Sequence, residues 1–111
     1  MTVSELAASG TYEVLVFPDS AAALPITGAY AGDLLSWVMG RAQEGNAFLT
    51  IMTNINVVAV AALRELSCVI FCENVPVGDD VIAAAKEKEI TLLRTGDALY
   101  EACVHLSDCL K

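Results

Sequence analysis

The segment from Ile26 to Met39 contains the residues best suited to bind a ligand. Gly28 and Gly32 precede Asp33, and a helix is predicted to begin directly after this aspartate. Glycines let backbone N–H groups approach a ligand, and the N-terminus of a helix attracts anions. The alternative is structural: the glycines form a bend and Asp33 caps the helix. Because Asp33 would itself repel a phosphate, the structural interpretation is favoured. The candidate ligand-binding residues of this segment are Thr27, Gly28, Tyr30, Gly32 and Asp33.

A second group of polar residues follows predicted strands. Thr53, Asn54 and Asn56 come after one apolar strand and open a helix, and Thr95 follows a later strand. In open α/β sheets, ligands bind outside the carboxyl ends of parallel strands. We therefore expect these residues to line a polar pocket, with Glu73-Asn74 beside them. The alternative is helix capping, which is favoured for any one of them taken alone.

Signals for catalysis are sparse. The chain has one histidine, His105, and neither a G-x-S-x-G nor an H-E-x-x-H motif. Residues 40–45 have the glycine spacing of a P-loop, but they lack the Lys-Ser/Thr that ends one and precede a strand. Gly45 is better interpreted as the glycine that ends a helix. Asp33, Glu73 and Asp97 could converge at strand ends, although nothing pairs them as acid and base. We predict no enzymatic activity. A small enzyme or phosphotransfer factor using Asp33 is the least favoured alternative.

The cysteines do not form a recognisable metal or redox motif. Cys68, Cys72, Cys103 and Cys109 contain no C-x-x-C pair. His105 and Cys109 are four residues apart on a predicted helix, but no third ligand is evident. We expect no metal and no cofactor, and we expect the cysteines to behave as small buried hydrophobic residues.

Composition limits the possible partners. The chain has 111 residues, 56% of them hydrophobic, and a net charge of −8, so we predict a single domain over residues 1–111. An acidic chain disfavours nucleic-acid binding. No apolar run approaches the roughly 18 residues that a membrane span needs, and residues 1–6 do not resemble a secretory signal. We infer a cytoplasmic protein that binds neither nucleic acid nor membrane.

Short apolar strands alternate with amphipathic helices, which predicts a three-layer α/β/α sandwich with a mostly parallel sheet. The predicted strands are 13–17, 26–30, 47–52, 68–72 and 90–94. The predicted helices are 2–9, 34–39, one from Asn54 or Asn56 to Leu66, 79–88, and one from about Asp97 almost to Lys111. The stretch 57–63 is apolar on all sides, so either a second subunit or neighbouring helices must cover it. Trp37 is interpreted as a packed residue in preference to a surface anchor for a partner.

Residues 26–39 and 53–61 resemble the signature segments of the DRTGG domain family, which is related to the N-terminal domain of HPr kinase/phosphorylase. The resemblance implies a MurF/HPr-kinase N-terminal-domain-like fold, a regulatory or ligand-sensing role and a homodimer, which would cover the helix at 57–63. The P-loop catalytic domain of that kinase has no counterpart here. Leu24-Pro25 replace the Asp-Arg that names the family, and Ala29 replaces its second glycine. Without that arginine the site loses its best anion ligand, which favours a neutral ligand or none.

The sequence therefore predicts a homodimeric regulatory module that binds a small molecule or nucleotide at the glycine-rich segment and the strand-end loops. The alternative is a protein–protein interaction or dimerisation module without a small ligand. The apolar helix, Trp37 and the acidic surface are the features that favour this alternative.

Overall fold

The computed structural model describes all 111 residues, with five strands in one sheet. The strands are β1 (Glu13–Val16), β2 (Gly28–Ala31), β3 (Asn46–Thr50), β4 (Cys68–Phe71) and β5 (Thr91–Arg94). Their order across the sheet is β1-β5-β4-β3-β2. The four strands from β2 to β5 are parallel, and β1 is antiparallel to β5. A mostly parallel sheet was predicted and is confirmed.

Helices cover both faces of the sheet. They are α1 (Val3–Ala7), α2 (Leu35–Arg41), α3 (Asn56–Leu63), α4 (Asp79–Lys88) and α5 (Leu99–Leu110), with a short 3-10 helix at Asp19–Ala21. On one face, α2, α3 and α4 pack against a core that contains Phe48, Val58 and Leu92. On the other, α1 and α5 pack against a core that contains Leu6 and Leu49. The central strands β3 and β4 are buried at every residue because helices cover both faces of the sheet, which gives the three-layer sandwich.

The apolar helix α3 is covered within a single chain. Val57, Val58, Val60 and Ala61 are buried, and α3 contacts both α2 and α4. The exposed residues of α3 are Asn56, Ala59 and Leu63, and Leu63 is exposed at 71%. The expectation that a second subunit covers this helix is therefore wrong: neighbouring helices do so, because α3 is the middle helix of its layer.

Gly45 has a different role from the one that the sequence predicted. It was interpreted as the glycine ending a helix, but α2 ends at Arg41. Gly45 instead has a φ of +84° in the turn that leads into β3. A Cβ atom there would lie 2.7 Å from Thr27 Cγ2 and 2.8 Å from Thr27 Oγ1. Both the backbone conformation and the close approach of Thr27 therefore require glycine.

None of the helices has the combination of length and hydrophobicity that a membrane crossing demands.

Candidate functional site

The carboxyl ends of the four parallel strands bring most of the predicted site residues to one edge of the sheet. Four loops leave this carboxyl edge, at residues 32–34, 51–55, 72–78 and 95–98. They lie side by side because β2, β3, β4 and β5 are consecutive neighbours in the sheet. The predicted residues found at or beside this edge are Gly32, Asp33, Thr53, Asn54, Asn56 and Thr95.

Asp33 ties two of these loops together. Its Oδ1 accepts a hydrogen bond from the Thr50 hydroxyl at 2.7 Å and another from the backbone N–H of Ile51 at 3.1 Å. The side chain therefore does not cap α2, whose N-cap is Leu34. The predicted capping role is wrong because Asp33 finds partners at the end of the neighbouring strand. Its second carboxylate oxygen, Oδ2, is left for solvent or a ligand.

Thr50 is the site residue that the sequence analysis missed. It is fully buried at the end of β3, and its hydroxyl donates to Asp33 while accepting from the N–H of Met52 at 3.1 Å. A signal for it did exist in the sequence. A hydroxyl that ends a fully buried strand needs a polar partner, and the loop after the neighbouring strand is the nearest source of one.

The amide and hydroxyl groups of the other loops are partly used in local turns. Asn54 Oδ1 accepts from the N–H of Asn56 at 2.8 Å, and Thr95 Oγ1 accepts from the N–H of Asp97 at 3.2 Å. Both residues thus have the capping or turn role weighed from the sequence. The Asn54 amide nitrogen and the Thr53 hydroxyl are the neutral polar groups that these turns leave for a ligand.

Carboxylates dominate the charge of this edge. Asp33, Glu73 and Asp97 lie around the buried thiol of Cys72. Burial, followed by Cys103 and these three carboxylates, raises the pKa of Cys72 to about 11. The four loops contain no lysine or arginine. The edge is therefore anionic without a compensating cation of its own.

The nearest arginine is already engaged. Arg94, at the end of β5, forms an ion pair with Glu13 at 2.8 Å and donates to the carbonyl of Val75 at 3.1 Å. Its guanidinium therefore holds β1 and the loop after β4 in place. It is not directed to a ligand.

The raised thiol pKa values give a testable order of reactivity. Burial raises the pKa of Cys68 to about 12, and Cys72 is buried as well. Since the thiolate is the reactive form, roughly one Cys72 in a thousand is ionised at pH 8. We expect iodoacetamide at pH 8 to label the half-buried Cys103 and Cys109 first, as read by mass spectrometry. Unfolded protein is the control, with all four labelled. Early labelling of Cys68 in native protein would contradict the burial.

The remaining predicted residues lie elsewhere. Thr27 and Gly28 are at the start of β2, on the opposite, amino edge of the sheet. The Thr27 hydroxyl donates to the carbonyl of Glu44 at 2.8 Å and accepts from Asn46 Nδ2 at 3.3 Å. Tyr30 is in the middle of β2 and packs against the core beneath α2, α3 and α4. The structure therefore does not bring these three residues together with Asp33, and the glycine-rich segment is divided between two edges.

The largest cavity of the structure is at the amino edge. It has a volume of about 370 Å³, and its lining includes Thr27, Glu44, Glu65 and Glu89. A hydrogen bond to Glu65 and the charge of that carboxylate raise the pKa of Glu44. This amino-edge cavity is concave and acidic, and it includes one predicted residue. The polar pocket expected at the carboxyl edge is not formed as a cavity: Asp33, Thr53, Asn54 and Thr95 line none of the three cavities, so that edge is an open surface.

The His105–Cys109 pair and Trp37 were also considered for function. His105 Nε2 and Cys109 Sγ are 3.6 Å apart, and no group of three or more His, Cys, Asp or Glu side chains in the structure is placed to hold a metal ion. Trp37 is 53% exposed, with the Arg41 guanidinium 3.9 Å from its ring centroid. The packed interpretation of Trp37 is therefore wrong.

The fold and the carboxyl edge define a small α/β domain with a mostly parallel sheet covered on both faces. No protein-family model matches the sequence. No curated protein matches it either.

A solved structure is similar to this chain in fold. It contains the CBS and DRTGG domains of the regulatory region of Clostridium perfringens pyrophosphatase, complexed with the activator diadenosine tetraphosphate. The TM-score is 0.69 at 16% sequence identity. The match covers 82% of this chain and 39% of the other, so this chain spans well under half the length of its neighbour. The comparison shows a DRTGG/CBS-like fold, in agreement with the fold that the sequence resemblance implied.

Proposed function

We propose that this chain is a homodimeric, non-catalytic regulatory module that binds a small molecule at the carboxyl edge of its sheet. The observation that carries the proposal is the gathering of Asp33, Thr53, Asn54 and Thr95 at one edge, where open α/β sheets bind their ligands. The fold likeness to a regulatory region that binds a nucleotide activator supports the same class of function. The DRTGG resemblance of residues 26–39 and 53–61 agrees with it.

The charge of the carboxyl edge restricts the class of ligand. Asp33, Glu73 and Asp97 provide negative charge, and no cationic side chain comes from the four loops. A free polyphosphate would be repelled, whereas a neutral or cationic molecule can receive hydrogen bonds from amides and hydroxyls and donate to carboxylates. A nucleotide fits only as its Mg²⁺ complex or through its nucleoside part. We therefore propose a neutral or cationic ligand.

A thermal-shift experiment tests this proposal. The probes are adenosine, diadenosine tetraphosphate with and without Mg²⁺, and the polyamine spermidine, each at millimolar concentration. We expect at least one neutral, cationic or Mg²⁺-bound probe to raise the Tm, because a ligand that binds only the folded state stabilises it. Free diadenosine tetraphosphate should give no shift. If no probe shifts the Tm and native mass spectrometry finds no retained molecule, the ligand proposal fails.

Two matched variants locate the binding site. Asp33→Asn removes one charge at the carboxyl edge and keeps an oxygen that can accept from Thr50 and Ile51. Glu65→Gln removes one charge at the amino-edge cavity. We expect Asp33→Asn to reduce the affinity for a cationic probe about 10-fold, because the probe loses a hydrogen bond to a charged group. Glu65→Gln should leave this affinity unchanged. The reverse result would move the site to the amino-edge cavity.

A second candidate function is a protein-interaction module without a small ligand. The exposure of Trp37 favours it, since aromatic side chains are frequent anchors at interfaces. Trp37→Ala would then abolish capture of a specific partner and leave every thermal shift unaltered.

A further inference from the structure

We infer that the free edge of β2 pairs with β2 of a second copy of this chain, extending the sheet across a two-fold axis. This inference rests on the homodimer of the proposed function and specifies its interface. The argument begins with the two edges of the sheet, which are built differently.

The β1 edge is protected against pairing with another strand. A bulge interrupts its register between Val14 and Val16. Glu13 places a charge at the start of the strand, where it pairs with Arg94, and Pro18 follows shortly after its end. Bulges, charges and prolines are the means by which natural edge strands avoid association.

Strand β2 itself has none of these features, and the flanking Pro25 and Asp33 lie outside it. Its register with β3 is regular from Gly28 to Ala31, and the strand contains no charge and no proline. Ala29 and Ala31 are exposed, and their small side chains allow another backbone to approach. A regular, uncharged edge strand presents unpaired N–H and C=O groups to any strand that can align with it.

Exposed apolar side chains lie beside this edge. On α5, His105 faces Tyr12, with the ring centroids 6.1 Å apart, and Tyr12 directly precedes β1 at the far side of the sheet. Helix α5 contacts β2 and β3, and Tyr100 and Val104 are one turn apart on its exposed side. They are 76% and 44% exposed, and Leu34, which follows β2, is 59% exposed.

The distribution of charge favours a second copy as the occupant. The chain has a net charge of −8, yet residues 20–32 contain no charged side chain. Two copies of an acidic chain repel least where their facing surfaces are uncharged. A two-fold axis perpendicular to the sheet pairs the β2 strands antiparallel and places both α5 helices on the same face. Tyr100 and Val104 of each copy can then contact each other.

The exposed apolar area beside β2 can supply about half of a standard dimer interface. The exposed parts of Ala29, Ala31, Leu34, Tyr100 and Val104 amount to roughly 400 Å² per copy, about half of the ~800 Å² that each partner buries in a standard interface. The paired backbones and the polar groups around them provide the rest.

A pair of alanine-to-glutamate variants tests the inference. Ala31→Glu adds a charge at the β2 edge, and Ala83→Glu adds the same charge on the exposed side of α4, away from that edge. We expect the unmodified chain to have twice its 11.7 kDa mass by analytical ultracentrifugation. Ala31→Glu should raise the dimer Kd at least 10-fold, and Ala83→Glu should not change it. Tyr100→Glu, which leaves the strand intact, should weaken the dimer if Ala31→Glu fails to fold.

Hydrogen exchange provides a second measurement. In the unmodified chain, the peptide covering residues 26–34 should exchange more slowly as protein concentration rises, because the outward N–H groups of β2 become paired. If the dimer persists in both Ala31→Glu and Tyr100→Glu, the β2 interface is wrong, but the homodimer stands. A monomer at 100 µM would overturn both, and neither result bears on the ligand. A trimer or larger assembly would also overturn the inference, since two-fold strand pairing closes at two copies.

Discussion

Replacing Val58 by aspartate is expected to unfold the protein. Val58 is 1% exposed in the core between α3 and the sheet, so the new carboxylate would be buried without a partner. Such substitutions cost at least about 4 kcal/mol, which approaches the whole stability of a domain at the lower end of the ~5–15 kcal/mol range. Urea unfolding followed by circular dichroism measures the loss.

The matched control for Val58→Asp is Leu63→Asp on the same helix. Leu63 is mostly exposed, so an aspartate there stays in water, and we expect a change in stability below about 1 kcal/mol, mostly from the negative charge near the helix C-terminus. Equal effects of the two variants would contradict the packing of α3 in the middle of its layer. Because Val58 is buried within one chain, a loss of dimer in Val58→Asp would reflect unfolding and not a lost contact between subunits.

Replacing Gly45 by alanine is expected to destabilise the fold by about 2–4 kcal/mol. This cost combines the strain of a left-handed backbone at a non-glycine residue with the displacement of Thr27. The new Cβ would lie within 2.8 Å of two Thr27 side-chain atoms. Thr27 would have to move, with loss of its hydrogen bonds to the Glu44 carbonyl and the Asn46 amide. The midpoint of urea unfolding should fall accordingly.

Gly40→Ala is the control for this glycine. Gly40 lies within α2, where a Cβ would meet no atom within 4 Å. Alanine there should stabilise the protein by about 0.5–1 kcal/mol, because glycine is a poor helix former. In addition, Thr27→Ala should restore part of the stability lost in Gly45→Ala, since it removes the clashing atoms. If Gly45→Ala proves as harmless as Gly40→Ala, the tight turn before β3 is not as described.

Local signals in the sequence predicted the first and last residues of some elements correctly and those of others only approximately. The helix at 79–88 was predicted with its observed bounds because Gly78, two leading aspartates and two trailing lysines mark its ends. The second strand was predicted at 26–30 but lies at Gly28–Ala31. The reason is a long-range contact: the N–H of Ile26 donates to the carbonyl of Met1, and no local pattern encodes that bond.

The candidate site was predicted in its chemistry and less well in its geometry. The capping and turn roles of Asn54 and Thr95 follow from local rules, and the structure has both. The segment from Thr27 to Asp33 was treated as one site. Strand β2, which has four residues and is therefore about 13 Å long, lies between Thr27 and Asp33 and places them at opposite edges of the sheet. The hydrogen bond from Thr50 to Asp33 links the end of β3 to the loop after β2, so neither segment alone could predict it.

The position of β1 in the sheet has a consequence for synthesis on the ribosome. Glu13 pairs with Arg94, 81 residues later in the chain, while each of the other strands pairs with its predecessor or successor. The parallel units can therefore assemble in the order in which they emerge, but β1 has no partner until β5 has been made. Closing so long a loop is slow, and the apolar side of β1 is exposed throughout this interval. Chaperone dependence during translation should therefore concentrate on β1, which is made before the other four strands and is the last to join the sheet.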